Sequence, residues 1–304
     1  MDDRIINGMR FEVKRLDDAW EVRTWKSNGV TERSVRPALE WVEVFKQVDV
    51  DHPDPSYHYP EWDDRPALDP IEDAALIAER RVHALQKSAS RAKTMCRHTI
   101  ISEGFNEMLT ITYRENQTDR ELCKAHLKEW VRRMKKALGG FRYCAAFETQ
   151  ERGAMHVHVA THKMPQFGKY KGTKIKTWQL GTKIWRDIVG QDNGMVFVGG
   201  KPSKWGSKAR KNMSLYKMAS YVSKYIMKDF ASAPSESNRY SRSNGVEVSE
   251  VHKMRLYGSL ADIVAVTFEC MPGDVLYSHN VGRFKDSYWL ATEAKTRPLL
   301  PVVV

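Results

Sequence analysis

The segment Arg152-Gly-Ala-Met-His156-Val157-His158-Val159-Ala160 alternates imidazole and apolar side chains. That period of two predicts a β-strand. Residues i and i+2 of a strand share a face, so His156 and His158 offer two imidazoles to one point while Val157 and Val159 turn away. Two such rings can grip a divalent cation. A third donor stands nearby in the chain. Glu148 ends the preceding strand, across a polar turn of residues 149–154 containing Gly153, so its carboxylate can reach the same face. Gln150 and His162 are alternative third donors; His162 has the parity of the pair if the strand continues. Two imidazoles and one carboxylate with open positions suit Mg²⁺ or Mn²⁺ completed by phosphate oxygens. The same set could hold Zn²⁺.

The second reactive segment is Tyr221-Val-Ser-Lys224-Tyr225-Ile-Met-Lys228, two Tyr-x-x-Lys units in tandem. It reads as a helix from about Ser214 to Phe230, with an apolar stripe of Leu215, Met218, Ala219, Val222, Ile226 and Phe230. Both tyrosines are expected at the edge of that stripe, one turn apart, with lysines beside them. A phenol ionises near pH 10 and is a poor nucleophile at neutral pH. Neighbouring ammonium groups favour the phenolate, and a metal on a phosphate stabilises charge growing at phosphorus. Together these groups suit transesterification of a phosphodiester, with the bond energy kept in a phosphotyrosine.

These segments need a scaffold. Residues 71–95 show a helical pattern, with Ile71, Ala75, Ile77, Ala78, Val82 and Leu85 on one side. Met108-Leu-Thr-Ile-Thr-Tyr113 alternates as a strand. Asp119 caps a helix with apolar positions Leu122, Leu127, Trp130, Val131, Met134 and Leu138, and Gly139-Gly140 stops it. Residues 141–148 form a strand that leads through a hairpin turn into the histidine strand. A basic loop of residues 169–176, a helix over 177–189, a short strand at 195–198 and a second basic loop over 199–211 precede the tyrosine helix. That order predicts an α+β fold with a central antiparallel sheet and helices packed on one face. Residues 50–70 are rich in Pro and Asp and read as a linker, with His52 and His58 as solvated loop residues. Residues 232–245 read as loop, and Ile263-Val-Ala-Val-Thr-Phe268 as strand-like. The domain expectation is an N-terminal extension 1–70, a catalytic domain 71–231 and a C-terminal extension 232–304 with a disordered end.

The 304 residues are 41% hydrophobic, enough for a core, and carry a formal charge of +11. Such a charge suggests a polyanionic partner. Between Lys163 and Lys228 stand fifteen Lys/Arg against Asp187 and Asp192 alone, interleaved with Phe167, Tyr170, Trp178, Trp185, Phe197, Trp205 and Tyr216. Lys169, Lys171, Lys174, Lys176, Lys201, Lys204, Trp205, Lys208, Arg210 and Lys211 are candidate contacts along a phosphate track with stacking rings. No long apolar run predicts a membrane helix. The opening residues lack a basic region followed by an apolar one, so no signal peptide is expected. Cys96, Cys123, Cys144 and Cys270 are scattered and read as reduced core thiols of a cytosolic protein.

Three segments, in order, resemble the HUH endonucleases, and within them the two-tyrosine rolling-circle initiators of single-stranded DNA phages and related plasmids. They are Leu109-Thr-Ile-Thr-Tyr113-Arg-Glu-Asn, Glu148-Thr-Gln-Glu-Arg152-Gly-Ala-Met-His156-Val-His158, and Tyr221-Val-Ser-Lys224-Tyr225 with Lys228. The resemblance covers about residues 72–230. It implies a five-stranded antiparallel sheet with flanking helices, similar to an RNA-recognition or palm domain. It implies nicking of single-stranded or hairpin origin DNA in the cytoplasm of a bacterial host, leaving a 5′-phosphotyrosine and a 3′-end for a host polymerase. By the same resemblance Tyr221 and Tyr225 are nucleophiles, Lys224 and Lys228 their helpers, and His156, His158 and Glu148 the ligands of Mg²⁺ or Mn²⁺. Which tyrosine attacks first stays open; the lysine between the two favours Tyr221. A helicase is not expected: Gly194-Met-Val-Phe-Val-Gly199-Gly-Lys201-Pro202 has the wrong glycine spacing for a phosphate loop, and Pro202 replaces the needed hydroxyl residue. A host helicase is therefore an expected partner. Other classes that use the same residues are a transposase or relaxase on this scaffold, a non-catalytic origin- or RNA-binding protein, and a zinc hydrolase.

Overall fold

The computed structural model describes residues 3–6, 9–43, 70–198, 214–228, 238–281 and 286–294. Along the chain run β1 (Asp3–Ile6), β2 (Met9–Ser27), β3 (Val30–Glu43), α1 (Pro70–Glu103), β4 (Glu107–Thr112), α2 (Arg120–Leu138), β5 (Tyr143–Thr149) and β6 (Met155–Thr161). Then follow β7 (Phe167–Tyr170), β8 (Thr173–Lys176), α3 (Thr177–Val189), β9 (Met195–Val198), α4 (Leu215–Lys228), β10 (Tyr240–Arg242), β11 (His252–Tyr257), α5 (Leu260–Glu269), β12 (Asp274–Val281) and β13 (Ser287–Glu293). Contacts divide the chain into two units, Met1–Asp73 with Ser249–Val304, and Ala74–Val248. The boundaries read from the sequence, 70 and 231, do not join the two ends of the chain. The linker expected over 50–70 lies outside the described residues, apart from Pro70.

The unit Ala74–Val248 is an α+β fold. Its sheet is five-stranded and antiparallel, in the order β10-β5-β6-β4-β9. Alternation in β6 sends Val157 and Val159 to one face, where they join Leu109, Ile111 and Phe147 against α2 and α3. Trp130 of α2 and Trp185 of α3 are fully buried in this layer. Each satisfies its indole: Trp130 Nε1 donates to Gly181 O at 3.0 Å, and Trp185 Nε1 to Thr112 O at 3.0 Å. Gly194 stands where a Cβ would clash with Thr112 O and the Trp185 ring, at a φ of +130°. Its glycine therefore has a packing reason.

The other face of the sheet is covered too, by α1 and α4. The Cys96 and Cys144 thiols lie 3.6 Å apart between α1 and β5, and α4 packs on β5 and β6. Helices on both faces correct the one-face expectation. The cause is the strand pattern itself: β6 buries residues of both parities, so neither face can be left to water.

Element limits follow local chemistry. Asp119 Oδ1 accepts from Leu122 N at 3.0 Å and opens α2, and Gly139 closes it at φ 74°. Leu122 is nonetheless exposed, and Cys123 takes the core position. Helix α1 runs past the expected limit at 95. Its first half leaves Ile77 and Val82 exposed, while Ala89, Cys96, Ile100 and Ile101 are buried. The basic segment 169–176 is not a loop but most of the β7–β8 hairpin, because Lys171 and Gly172 both take positive φ, 48° and 79°, as a tight two-residue hairpin turn requires. Residues 240–242, expected as loop, supply the edge strand beside β5.

The other unit is built on a six-stranded sheet, β1-β2-β3-β13-β12, with β11 on the free side of β2. The weak signals of residues 1–50 resolve into two long strands. Ile263–Phe268, read as strand-like, lies in helix α5. Ser259 caps it by accepting from Asp262 N at 3.2 Å, and Ile263 and Thr267, one turn apart, are its buried residues. A short apolar run does not by itself separate helix from strand. Residues 295–304, expected to be disordered, lie outside the described residues. No helix among the described residues is long and apolar enough to cross a membrane.

Candidate functional site

Strands β5 and β6 pair in a register that sets Glu148 opposite His156 and Ala146 opposite His158. The hairpin turn is held by Gln150 N donating to Ala154 O at 2.9 Å and Gly153 N to Gln150 O at 2.8 Å. Cross-strand partners share a face, so Glu148, His156 and His158 all stand on the face under α4. On the far side of β6, β4 sets Thr110 opposite His158 and Thr112 opposite His156.

His158 is buried, at 4% exposure. Its Nε2 meets Glu148 Oε2 at 2.8 Å, and its Nδ1 lies 3.4 Å from Thr110 Oγ1. Glu148 Oε1 takes Lys228 Nζ at 3.4 Å. Burial alone would raise the Glu148 carboxyl. The His158 hydrogen bond and the Lys228 charge outweigh it and hold the carboxyl below its usual range. His156 turns its Nδ1 to Gln150 Nε2 at 3.2 Å. Burial, with His158 beside it, pushes the His156 imidazolium down to about 4, so this ring is neutral near pH 7.

The tyrosine helix closes over this group. Tyr225 stacks on His158 with ring centroids 3.7 Å apart and planes 10° from parallel. Tyr221 meets the same imidazole edge-on at 6.0 Å and 89°. The Tyr225 hydroxyl donates to the Tyr221 hydroxyl at 2.7 Å. Lys224 Nζ stands 4.3 Å from the Tyr221 ring centroid and 5.1 Å from that of Tyr225, and Lys228 Nζ 5.3 Å from that of Tyr225. The two phenols differ in setting. Tyr225 is buried inside the helix's packed face, not at its edge as expected, and only Tyr221 borders it. Burial, then the Tyr221 bond and the nearby Glu148 charge, raise the Tyr225 phenol above its ordinary value.

The donor geometry bears on a cation. Ligands about 2.1 Å from an octahedral ion stand about 3.0 Å apart. The 2.8 Å contact between His158 and Glu148 has the spacing of two donors on one ion. His156 is the cross-strand neighbour of Glu148 but is held by Gln150. Among the described residues no group of three or more His, Cys, Asp or Glu side chains is drawn together closely enough to hold an ion. Two of the three expected donors therefore fit as they stand, and the third fits once its ring turns from Gln150. Of the alternative donors, Gln150 serves His156, and His162 leaves the group: β6 ends at Thr161, and His162 packs on Phe105 at 4.9 Å and faces Glu103.

The structure thus brings together Glu148, His156, His158, Tyr221, Tyr225, Lys224 and Lys228. It does not bring Lys169, Lys171, Lys174 and Lys176 to them. Those lysines are exposed on the β7–β8 hairpin, which packs through Gly168 on Leu138 and Leu180, on the α2–α3 side of the sheet. Lys171 pairs there with Asp187 at 2.7 Å, and Lys174 lies over Phe167 at 4.6 Å. Lys201, Lys204, Trp205, Lys208, Arg210 and Lys211 lie outside the described residues. Thr110 and Thr112 are not among the residues singled out from the sequence; the alternation of Leu109-Thr-Ile-Thr, with both threonines on one face, is the signal that could have found them.

Residues 106–230 match a family model of replication-associated proteins, the ORF2 type. The match runs from β4 through the tyrosine helix and so contains every residue of the His–Glu–Tyr group. It points to a role in replication initiation, with DNA as the partner. No curated protein and no solved structure matches the chain.

Proposed function

We propose that the chain is a rolling-circle replication initiator of the HUH type, which nicks single-stranded or hairpin origin DNA through a tyrosine and later rejoins the strand. One observation carries this reading: two hydrogen-bonded phenols sit on a buried His–Glu pair, one of them stacked on the imidazole at 3.7 Å. Ordinary packing explains one tyrosine over one ring. It does not explain two phenols flanked by two lysines above paired metal-type donors.

In the proposed step the Tyr221 oxygen bonds to phosphorus and the P–O3′ bond breaks. The phenolic proton is lost and the departing 3′-oxygen gains one, so no water or nucleotide is consumed. Tyr221 attacks first because it is the less buried phenol, and because its oxygen accepts the Tyr225 hydrogen bond as negative charge builds on it. Lys224 lies over both rings and favours that charge. Tyr225 serves the second transfer, in which a regenerated origin is cut and the circle released. His158, Glu148 and His156 would hold Mg²⁺ or Mn²⁺, which polarises a bound phosphate. A host helicase and polymerase would extend the free 3′-end, in the host cytoplasm.

The test is incubation with origin oligonucleotides and Mn²⁺, followed by denaturing electrophoresis and mass spectrometry of the DNA-linked peptide. A detergent-resistant adduct on the peptide containing Tyr221, absent from the Tyr221→Phe/Tyr225→Phe variant, is expected. Tight binding without an adduct under any divalent metal would leave a non-catalytic origin binder in its place.

A further inference from the structure

The six-stranded sheet of the unit Met1–Asp73 with Ser249–Val304 has two unlike faces. One is covered by α5: Ile263 packs with Trp20, Val22 and Val35, and Arg33 donates to Thr267 O at 3.3 Å. The strand registers fix what stands on the other. Lys253 pairs with Arg23, Arg23 with Ser34, Ser34 with Trp289, and Trp289 with His279. Cross-strand partners share a face, so these residues form one row over five strands. At about 4.8 Å per strand the row spans roughly 19 Å. The adjoining row of the same face carries Arg255, Glu21 and Arg36.

This face combines rings with cations. The Tyr277, His279 and Trp289 rings form one cluster, with centroids 4.8, 5.5 and 5.7 Å apart. Tyr277 is 52% exposed, and His279 is exposed beside it. Towards β11 stand Lys253, Arg255, Arg23 and Arg36, and three of the four are exposed. In these two rows the one acid is Glu21, already bonded to Arg23. Burial and the Arg23 charge pull the Arg36 guanidinium below its ordinary value, as expected where cations crowd without a matching anion. Open aromatic rings at one end of a basic row are what stacked bases on a phosphate chain require. Duplex bases are already stacked on each other and cannot offer their faces, so the rings select a single strand.

We propose that this face binds single-stranded DNA, with bases stacked on Tyr277 and Trp289 and phosphates on Lys253, Arg23, Arg36 and Arg255. The choice of DNA over RNA rests on the nicking reading above; the surface itself stands on its own register and ring geometry.

The test uses the full chain in EDTA, which prevents cleavage, and the fluorescence anisotropy of a labelled oligothymidylate across a salt series. Tyr277→Ala/His279→Ala should weaken binding roughly tenfold or more. Tyr277→Phe, which keeps the ring, should bind like the parent. Lys253→Gln/Arg255→Gln should lower the slope of log affinity against log salt by about 1.4, two phosphate contacts' worth. Unchanged affinity in both double variants overturns the proposal, as does an equal loss for duplex DNA or a loss for RNA alone. Adduct formation on a short origin oligonucleotide separates the two readings. Adduct intact with affinity unchanged sinks this surface and spares the nickase. Parent adduct absent with affinity lost in the variants sinks the nickase and keeps the surface.

Discussion

The sharpest perturbation of the site is Tyr225→Phe. It removes one oxygen and leaves the ring that stacks on His158 at 3.7 Å. What is lost is the donor to the Tyr221 hydroxyl at 2.7 Å. Between two neutral phenols such a bond is worth about 0.5–1.5 kcal/mol, and to a charged acceptor about 1.5–3. Only the difference, about 1–1.5 kcal/mol, acts on the rate, because only that part grows as charge collects on the Tyr221 oxygen. First-strand nicking should therefore slow about tenfold. Release of circular product, which needs the second phenol, should stop. The assay is single-turnover adduct formation on an origin oligonucleotide, with circle release followed on a substrate carrying two origins. Parent-like nicking would refute the donor role of Tyr225. Circle release at the parent rate would refute the division of labour between the tyrosines.

Other expectations follow from the same geometry. Tyr221→Phe should abolish the first adduct, and an adduct forming at Tyr225 at the parent rate would reverse the order of attack. His158→Ala should abolish cleavage while salt-dependent DNA binding largely persists, because phosphate contacts dominate affinity; anisotropy beside the adduct assay reads both. EDTA should block adduct formation in the parent, and Mg²⁺ or Mn²⁺ should restore it. Trp130→Ala, which empties the α2–α3 core and orphans Gly181 O, should cost about 3–5 kcal/mol of unfolding free energy in a denaturant titration. Gly194→Ala, forced against Thr112 O and the Trp185 ring, should destabilise by more than about 1 kcal/mol in the same measurement.

The sequence exposes those elements whose burial writes a period into neighbouring residues. Helix α3 spans the expected residues, and α2 begins and ends where Asp119 and Gly139 place it, because caps and periodicity are local. Pairing between distant segments is not local. Nothing in the run of β2 reveals that β11, more than two hundred residues later, lies beside it, so the two ends of the chain read as separate extensions rather than one sheet. The β10 edge strand is hidden for a related reason. Its three residues take their place only through β5, which needs a partner for the Tyr143, Cys144 and Ala146 backbone.

The site divides along the same line. Its residue types are legible, because alternation alone puts His156 and His158 on one face, and hairpin logic puts Glu148 with them. The relation between the phenols is not. Helical angles place both tyrosines at the edge of the apolar stripe, and by angle alone they are near equivalents. What breaks the symmetry is the packing of α4 on β5 and β6, which buries Tyr225 on His158 and leaves Tyr221 as the acceptor of its hydrogen bond. A tandem Tyr-x-x-Lys repeat thus encodes two chemically similar groups, and the sheet beneath makes them different. Two equal nucleophiles would compete for one phosphate. An ordered pair, one more open and one held beneath it as donor, can act in sequence, as a cut followed by a release requires.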